Sequence, residues 1–219
     1  MSNEMDDKIL TISETNFPAA IDSLCKKDSD LKQIVARLGN PPFFSRAAGF
    51  PSLIYIILEQ QVSMASAKAT FERLQQNLIE VTPENFLKLD DFELRSIGFS
   101  RQKMLYCREL ATAIVERRLG LDALETLPDG AVQIELTKIK GIGRWTTDVY
   151  LLMCLCRADA FPVGDLGVIV AAQRAKNLEN RPTQVELEII AENWRPFRAV
   201  AVRILWHYYL TEIRPMAGY

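Results

Sequence analysis

Apolar residues recur three and four positions apart along most of this chain, the period of an amphipathic helix, and alternation with period two is almost nowhere sustained. After Pro51, Leu53, Ile54, Ile57 and Leu58 make one helical face, and the small-residue run around Ala65 to Ala69 that follows would let another helix approach closely. Thr82-Pro83-Glu84 is a helix start, with a capping hydroxyl and proline at the first position. Ser100 heads a run that reaches Arg118 before Gly120 stops it. Thr183 and Glu186 have capping-box spacing, and Pro196 can open the last helix, FRAVAVRILWHYYL. Residues 1–15 carry no clear pattern and read as a frayed terminus. With no long linker, low-complexity tract or repeat, these signals predict a compact all-α protein of about ten helices.

Composition narrows this picture. The chain has 219 residues, 48% of them hydrophobic, enough to bury a core without metal or disulfide staples. Cys25, Cys107, Cys154 and Cys156 match neither a paired metal motif nor a secreted disulfide framework, and read as thiols in a reducing compartment. The start, MSNEMDDKIL, carries acids where a signal peptide carries bases, and no apolar run approaches the roughly 18 residues of a membrane span. An intracellular protein without a membrane segment is expected, cytoplasmic in a prokaryote and nuclear in a eukaryote. Net charge is −2, so no basic footprint advertises nucleic acid, and any such binding must rest on a local site.

KIKGIGRWT, residues 138–146, interrupts the helical pattern. AVQIELTKI before it and RWTTDVYLLMCLC after it both have helical spacing, so the predicted unit is helix, tight turn, helix. Glycine accepts positive φ and lets a backbone or ligand come close, and the second helix would present unpaired N–H groups and the positive end of its dipole. Such a terminus can hold a phosphate, and Lys138, Lys140 and Arg144 supply local positive charge. Taken alone, the two glycines read first as a plain connection between packed helices.

The wider context resembles a known family. LTKIKGIGRWT, 136–146, is similar to the helix-hairpin-helix of the base-excision DNA glycosylases, with the pattern L-x-x-I/L-x-G-I/V-G-x-x-T. FPVGDLGV, 161–168, resembles the Gly/Pro-rich turn of that superfamily that ends in an aspartate, here Asp165. The likeness extends back to LEQQVSMASAKA and forward to WRPFRAVAVRILW, covering about residues 50–210, and is nearest to the DNA-3-methyladenine glycosylase II branch without its β-rich N-terminal domain. It implies a two-lobed helical fold with the active site in a cleft between the lobes, lobe one formed by about 16–55 plus 165–219 and lobe two by about 56–164. It also implies a monofunctional glycosylase of base excision repair, which removes alkylated purines such as 3-methyladenine and 7-methylguanine from double-stranded DNA. A monomer is expected.

The resemblance also implies roles for particular residues. Asp165 would stabilise the oxocarbenium-like transition state and orient or deprotonate the attacking water, and the same residue can be an ordinary helix cap. Asp148 and Asp159 do not match the catalytic position. Trp145 stands where bifunctional relatives carry a lysine, and an indole has no amine to attack the sugar. No iron–sulfur loop is expected, because Cys154 and Cys156 have the wrong spacing. Trp145 and Trp206 would be walls of the base pocket, where aromatic faces attract a cationic base by ~0.5–2 kcal/mol each; Trp206 is equally a plain apolar helix position. Tyr150 is a further pocket residue, although the family's aromatic aligns at Val149. Since alkylation weakens the glycosidic bond, no second acid is required, and His207 reads as an ordinary last-helix residue.

Gln61 takes the place of the wedge that fills the gap left by an extruded base, and the alternative is a polar pair at a helix junction. Backbone N–H groups of Gly141, Gly143 and Thr146, with Lys140 and Arg144 beside them, would grip a phosphate. Carbonyls of Thr137, Ile139 and Ile142 would hold a structural Na+ or K+, and no other cofactor is required. Two rival readings remain open: a glycosylase for deaminated or mismatched bases, and a non-catalytic lesion-binding module.

Overall fold

In a computed structural model of the chain, which describes residues 9–215, the architecture is helical. Twelve α-helices occur among the described residues: α1 Phe17–Lys27, α2 Ser29–Leu38, α3 Phe50–Glu59, α4 Met64–Asn77, α5 Pro83–Lys88, α6 Asp91–Ile97, α7 Arg101–Val115, α8 Asp129–Thr137, α9 Arg144–Met153, α10 Leu166–Ala175, α11 Gln184–Glu192 and α12 Arg198–Tyr208. A 3₁₀ turn at Asp122–Thr126 precedes α8, and a π-helical turn at Tyr209–Ile213 continues α12.

Most boundaries follow from side chains that satisfy the free N–H groups of a first turn. Thr82 caps α5 through the Asn85 N–H, Ser100 caps α7 through the Lys103 N–H, and Thr183 with Glu186 forms the capping box of α11. Asp90 and Glu93 form a second box, and Gly98 ends α6 in the left-handed region, which makes this short helix an element of its own. The run from Ser100 ends at Val115 rather than Arg118, because Arg117, at φ 59°, reverses the chain ahead of Gly120. Pro196 lies before α12, which opens at Arg198.

The N-terminal expectation needs correction. Residues 1–8 lie outside the described residues, but Leu10 to Ile12 is held in place. The Ile12 N–H donates to the Cys156 carbonyl at 2.8 Å and the Ala158 N–H to the Leu10 carbonyl at 2.9 Å, forming an antiparallel bridge of Thr11 with Arg157. Ile12 is buried, and its apolar side chain gives this segment a reason to dock.

The chain divides into two compact units. One holds the described residues up to Ser45 and from Leu151 onward, and the other spans Arg46–Tyr150, so the crossings come earlier than the expected 55 and 164. In the first unit α12 is buried from Ala199 through Leu205 and packs on α1, α2 and α10. A helix buried all round is the core of its unit. Arg203 lies within it, and its guanidinium donates to the carbonyls of Phe43 (2.6 Å), Ala199 (3.1 Å) and Leu152 (2.8 Å). Burial pushes this arginine down to about 10. In the second unit α3 buries Leu53, Ile54, Ile56, Ile57 and Leu58 and packs on α4 and α7, while α7 also backs α5 and α6. No helix among the described residues is long and apolar enough to cross a membrane.

Candidate active site

In the first unit the turn at residues 161–165 closes with the Asp165 N–H donating to the Pro162 carbonyl at 2.9 Å, which delivers Asp165 to the N-cap of α10. Its Oδ1 accepts from the Val168 N–H at 3.0 Å and from the Trp206 indole Nε1 at 2.9 Å. The cap and the candidate catalyst are therefore one carboxylate, with a second helix, α12, helping to fix its orientation. Trp206 is half-buried, and its indole N–H serves the carboxylate directly, which a plain apolar helix position would not do.

Gly167 keeps this cluster tight. A Cβ there would lie 3.2 Å from Asp165 Oδ1, 3.4 Å from Tyr209 Cδ1 and 3.5 Å from Trp206 Cδ1. Phe44 meets Trp206 edge to face, with ring centroids 6.2 Å apart, and stands in the left-handed region at φ 43°. Arg203 fixes the preceding carbonyl, so the buried guanidinium supports the loop that carries Phe44. The other aspartates have partners that exclude them from this role. Asp148 is buried, accepts from Gln133 Nε2 at 2.9 Å and pairs with Arg144 at 3.5 Å. Asp159 is held by Arg195 and by Arg198. His207 Nε2 lies 3.2 Å from the Leu38 carbonyl.

In the second unit the hairpin runs from the end of α8 at Thr137 to Arg144, where α9 begins and Gly143 supplies the first carbonyl to the Thr147 N–H at 3.1 Å. The two glycines differ in kind. Gly141 has φ 94°, and a Cβ there would stand 2.0 Å from Tyr106 Cγ, so the protein itself requires glycine. Gly143 is exposed, and a Cβ there would meet nothing within 4 Å. Space is kept open beside Gly143, at the N-terminus of α9, where the first N–H groups of a helix lack intrahelical acceptors. Lys140 and Arg144 are exposed beside it, Arg144 reaching Asp148 at 3.5 Å, and Lys138 pairs with Glu135 at 2.7 Å.

Thr146 is buried, and its hydroxyl accepts from Gln60 Nε2 at 2.9 Å. The same nitrogen donates to the Gly141 carbonyl at 2.9 Å. Gln61 follows, exposed and at φ 56°, in the turn between α3 and α4, where Val62 and Met64 are exposed as well. Across this turn Lys103 Nζ donates to the Leu58 carbonyl, and burial holds that ammonium below its usual range. Gln61, Lys103, Tyr106, Gly141 and Gly143 line one cavity of about 460 Å3.

The aromatic expectations divide. Trp145 is half-buried at the start of α9. Tyr150 needs correction: it is fully buried, and its hydroxyl accepts from the Gly49 N–H at 3.1 Å, so it is a core residue with no face to offer a base. Val149 is buried too. For the expected cation, Thr137 ends α8 and its carbonyl has no intrahelical partner, while the Ile139 carbonyl accepts from the Ile142 N–H at 3.0 Å. Carbonyl oxygens are hard donors that suit a monovalent cation, and no group of three or more His, Cys, Asp or Glu among the described residues could hold a metal. Gln60, Gly167, Phe44 and Tyr209 were not legible as site residues; for two of them a signal existed, Gln60 in the Gln-Gln pair and Gly167 two positions after Asp165.

A family model described as HhH-GPD superfamily base excision DNA repair protein matches residues 54–196, which contain the hairpin, the Asp165 turn and the Gln60–Gln61 turn. The chain belongs to the HhH-GPD superfamily. Among similar HhH-GPD relatives is DNA-3-methyladenine glycosylase 1 of Schizosaccharomyces pombe, 29% identical over 186 residues, covering 82% of this chain and 82% of the relative. A solved structure of the 3-methyladenine DNA glycosylase of that yeast, in complex with abasic DNA, is similar with a TM-score of 0.81 at 28% identity, covering 92% of this chain and 98% of the other. A DNA-3-methyladenine glycosidase from Bacillus halodurans is similar with a TM-score of 0.72 at 29% identity, covering 87% and 88%.

Proposed function

We propose that the chain is a DNA-3-methyladenine glycosylase, which hydrolyses the N-glycosidic bond of alkylated purines in double-stranded DNA as a step of base excision repair. The observation that carries this reading is the Asp165 carboxylate, capped by the Val168 N–H and anchored by the Trp206 indole, in a chain similar along most of its length to glycosylases of that name.

The chemistry follows from the residues. Breaking the glycosidic bond leaves positive charge on the deoxyribose, and a fixed carboxylate stabilises that charge as it develops. An oriented carboxylate also aligns the water that attacks C1′. An alkylated purine is already a good leaving group, so one carboxylate suffices. The half-buried Trp206 indole, beside the carboxylate, offers aromatic surface to a cationic base. In the hairpin, the N–H groups of Gly143 and Thr146 and the side chains of Lys140 and Arg144 meet a backbone phosphate, while Gln61 enters the duplex. Carbonyls of Thr137, Ile139 and Ile142 would hold a monovalent cation that adds positive charge beside that phosphate. With an indole at Trp145 instead of an amine, the product is an abasic site in an intact strand. The protein acts as a monomer.

The test is incubation with methylated duplex DNA, followed by chromatography of released bases and a strand-cleavage gel. Free 3-methyladenine is expected, with strand breaks only after alkali. No released base would overturn the glycosylase reading, and breaks without alkali would overturn the single-step chemistry.

A further inference from the structure

Of the Gln60–Gln61 pair, the second residue is exposed at the turn and the first reaches into the hairpin. A glutamine amide nitrogen carries two protons, and Gln60 commits them to two points of the hairpin, the Gly141 carbonyl and the Thr146 hydroxyl, each at 2.9 Å. An amide that only closed the end of α3 would serve carbonyls of α3. That task falls instead to Lys103, whose ammonium donates to the Leu58 carbonyl in the last turn of α3.

Gln61 thus follows two anchored residues, Leu58 and Gln60, and it occupies the left-handed region, where a non-glycine residue persists only if its surroundings hold it there. The hairpin end of the link is stiff. Gly141 lies against the Tyr106 ring, and the Tyr106 hydroxyl accepts from Gln102 Nε2 at 2.6 Å, so the hairpin has little room to yield on that side.

We propose that Gln60 is a positioning residue that ties the turn carrying Gln61 to the phosphate-binding hairpin, so that a DNA backbone seated at Gly143 sets the conformation of the wedge. The inference rests on the glycosylase reading above and adds a role that neither the hairpin nor the wedge explains alone. Gln60→Glu keeps the size and can accept from the Thr146 hydroxyl, which reverses that bond, but it sets an acceptor against the Gly141 carbonyl. Gln60→Met keeps the length and loses both bonds.

The experiment uses a duplex with 2-aminopurine beside an abasic-site analogue, with fluorescence anisotropy for affinity and stopped-flow fluorescence for the rate of base unstacking. Both Gln60 variants are expected to bind undamaged duplex within about twofold of wild type and to unstack the probe about tenfold more slowly, the loss expected for a displaced positioning group. Gln61→Ala should show the same kinetic defect, and Gln60→Glu combined with Gln61→Ala should be no slower, the non-additivity of residues acting through one path. Unstacking at the wild-type rate in the Gln60 variants, or an equal loss of affinity and rate, overturns the proposal. So does failure of both Gln60 variants to fold, which assigns the residue to stability. Wild-type protein that neither binds nor unstacks the duplex sinks the glycosylase reading itself; a competent wild type with normal Gln60 variants sinks only the link.

Discussion

At the scale of single residues, Asp165 caps α10 through the Val168 N–H and receives the Trp206 indole on the same oxygen. Trp206→Phe keeps an aromatic ring and removes that donor. A hydrogen bond to a charged group contributes about 1.5–3 kcal/mol, so single-turnover base release should fall about tenfold or more while the melting temperature changes little. As a candidate, Asp165 is legible in the sequence because the glycine- and proline-rich turn that it ends resembles that of the glycosylase superfamily. Its partnership with Trp206 was not, since 41 residues separate them and only the packing of α10 on α12 brings them together. Tyr150 shows the converse: its place beside the motif suggests a pocket residue, and the structure buries it with its hydroxyl accepting from the Gly49 N–H at the start of α3.

At the scale of elements, the hairpin separates two reasons for glycine. Gly141→Ala forces a Cβ into the Tyr106 ring at a left-handed φ, and should destabilise the protein by about 3 kcal/mol or more, read as a lower midpoint in urea. Gly143→Ala meets no protein atom, so stability should stay within about 0.5 kcal/mol, while affinity for duplex DNA measured by anisotropy should fall about tenfold as the Cβ enters the space proposed for the phosphate. Equal melting of both variants would contradict this division. The two glycines are identical letters in the pattern, and only the ring lying on one of them tells them apart. Helix starts were far more legible, because a capping side chain acts within three residues of its own position. Stops were less so: Arg117 ends α7 by a backbone conformation that its side chain does not announce.

At the scale of the whole molecule, the all-α fold follows from the helical period, while the division into units does not, because the chain leaves and rejoins the first unit at Ser45 and Leu151 without a change of composition. Within that unit a buried clamp joins distant segments. Asp28 caps α2 and accepts from Lys176 Nζ at 2.6 Å and from Trp194 Nε1 at 2.7 Å. Burial alone would push the Asp28 carboxyl up, but the hydrogen bonds from Lys176, Trp194 and the Leu31 N–H outweigh it and hold the group below its ordinary value. Burial likewise pushes Lys176 down, and the bonds to Asp28 and Asp30 carry it above the usual lysine range. A lowered carboxyl gives stability that is present above its unfolded value, about 3.9, and lost as pH falls through the folded value. The raised ammonium gives stability that is complete below its unfolded value, about 10.4, and lost as pH rises through the folded value. The melting temperature should therefore fall on both sides of this window, and Asp28→Asn should cost about 3 kcal/mol at neutral pH and flatten the acid limb. An unchanged acid limb would contradict the clamp.

The central claim is that Asp165 performs the chemistry, and single-turnover release of 3-methyladenine from methylated duplex by wild type and Asp165→Asn, with affinity for abasic duplex measured beside it, tests that claim most directly. Asparagine can still cap α10 and accept from Trp206 but carries no charge to oppose the cationic sugar, so release should fall about 100-fold or more with affinity little changed. Release at the wild-type rate from Asp165→Asn would contradict the account.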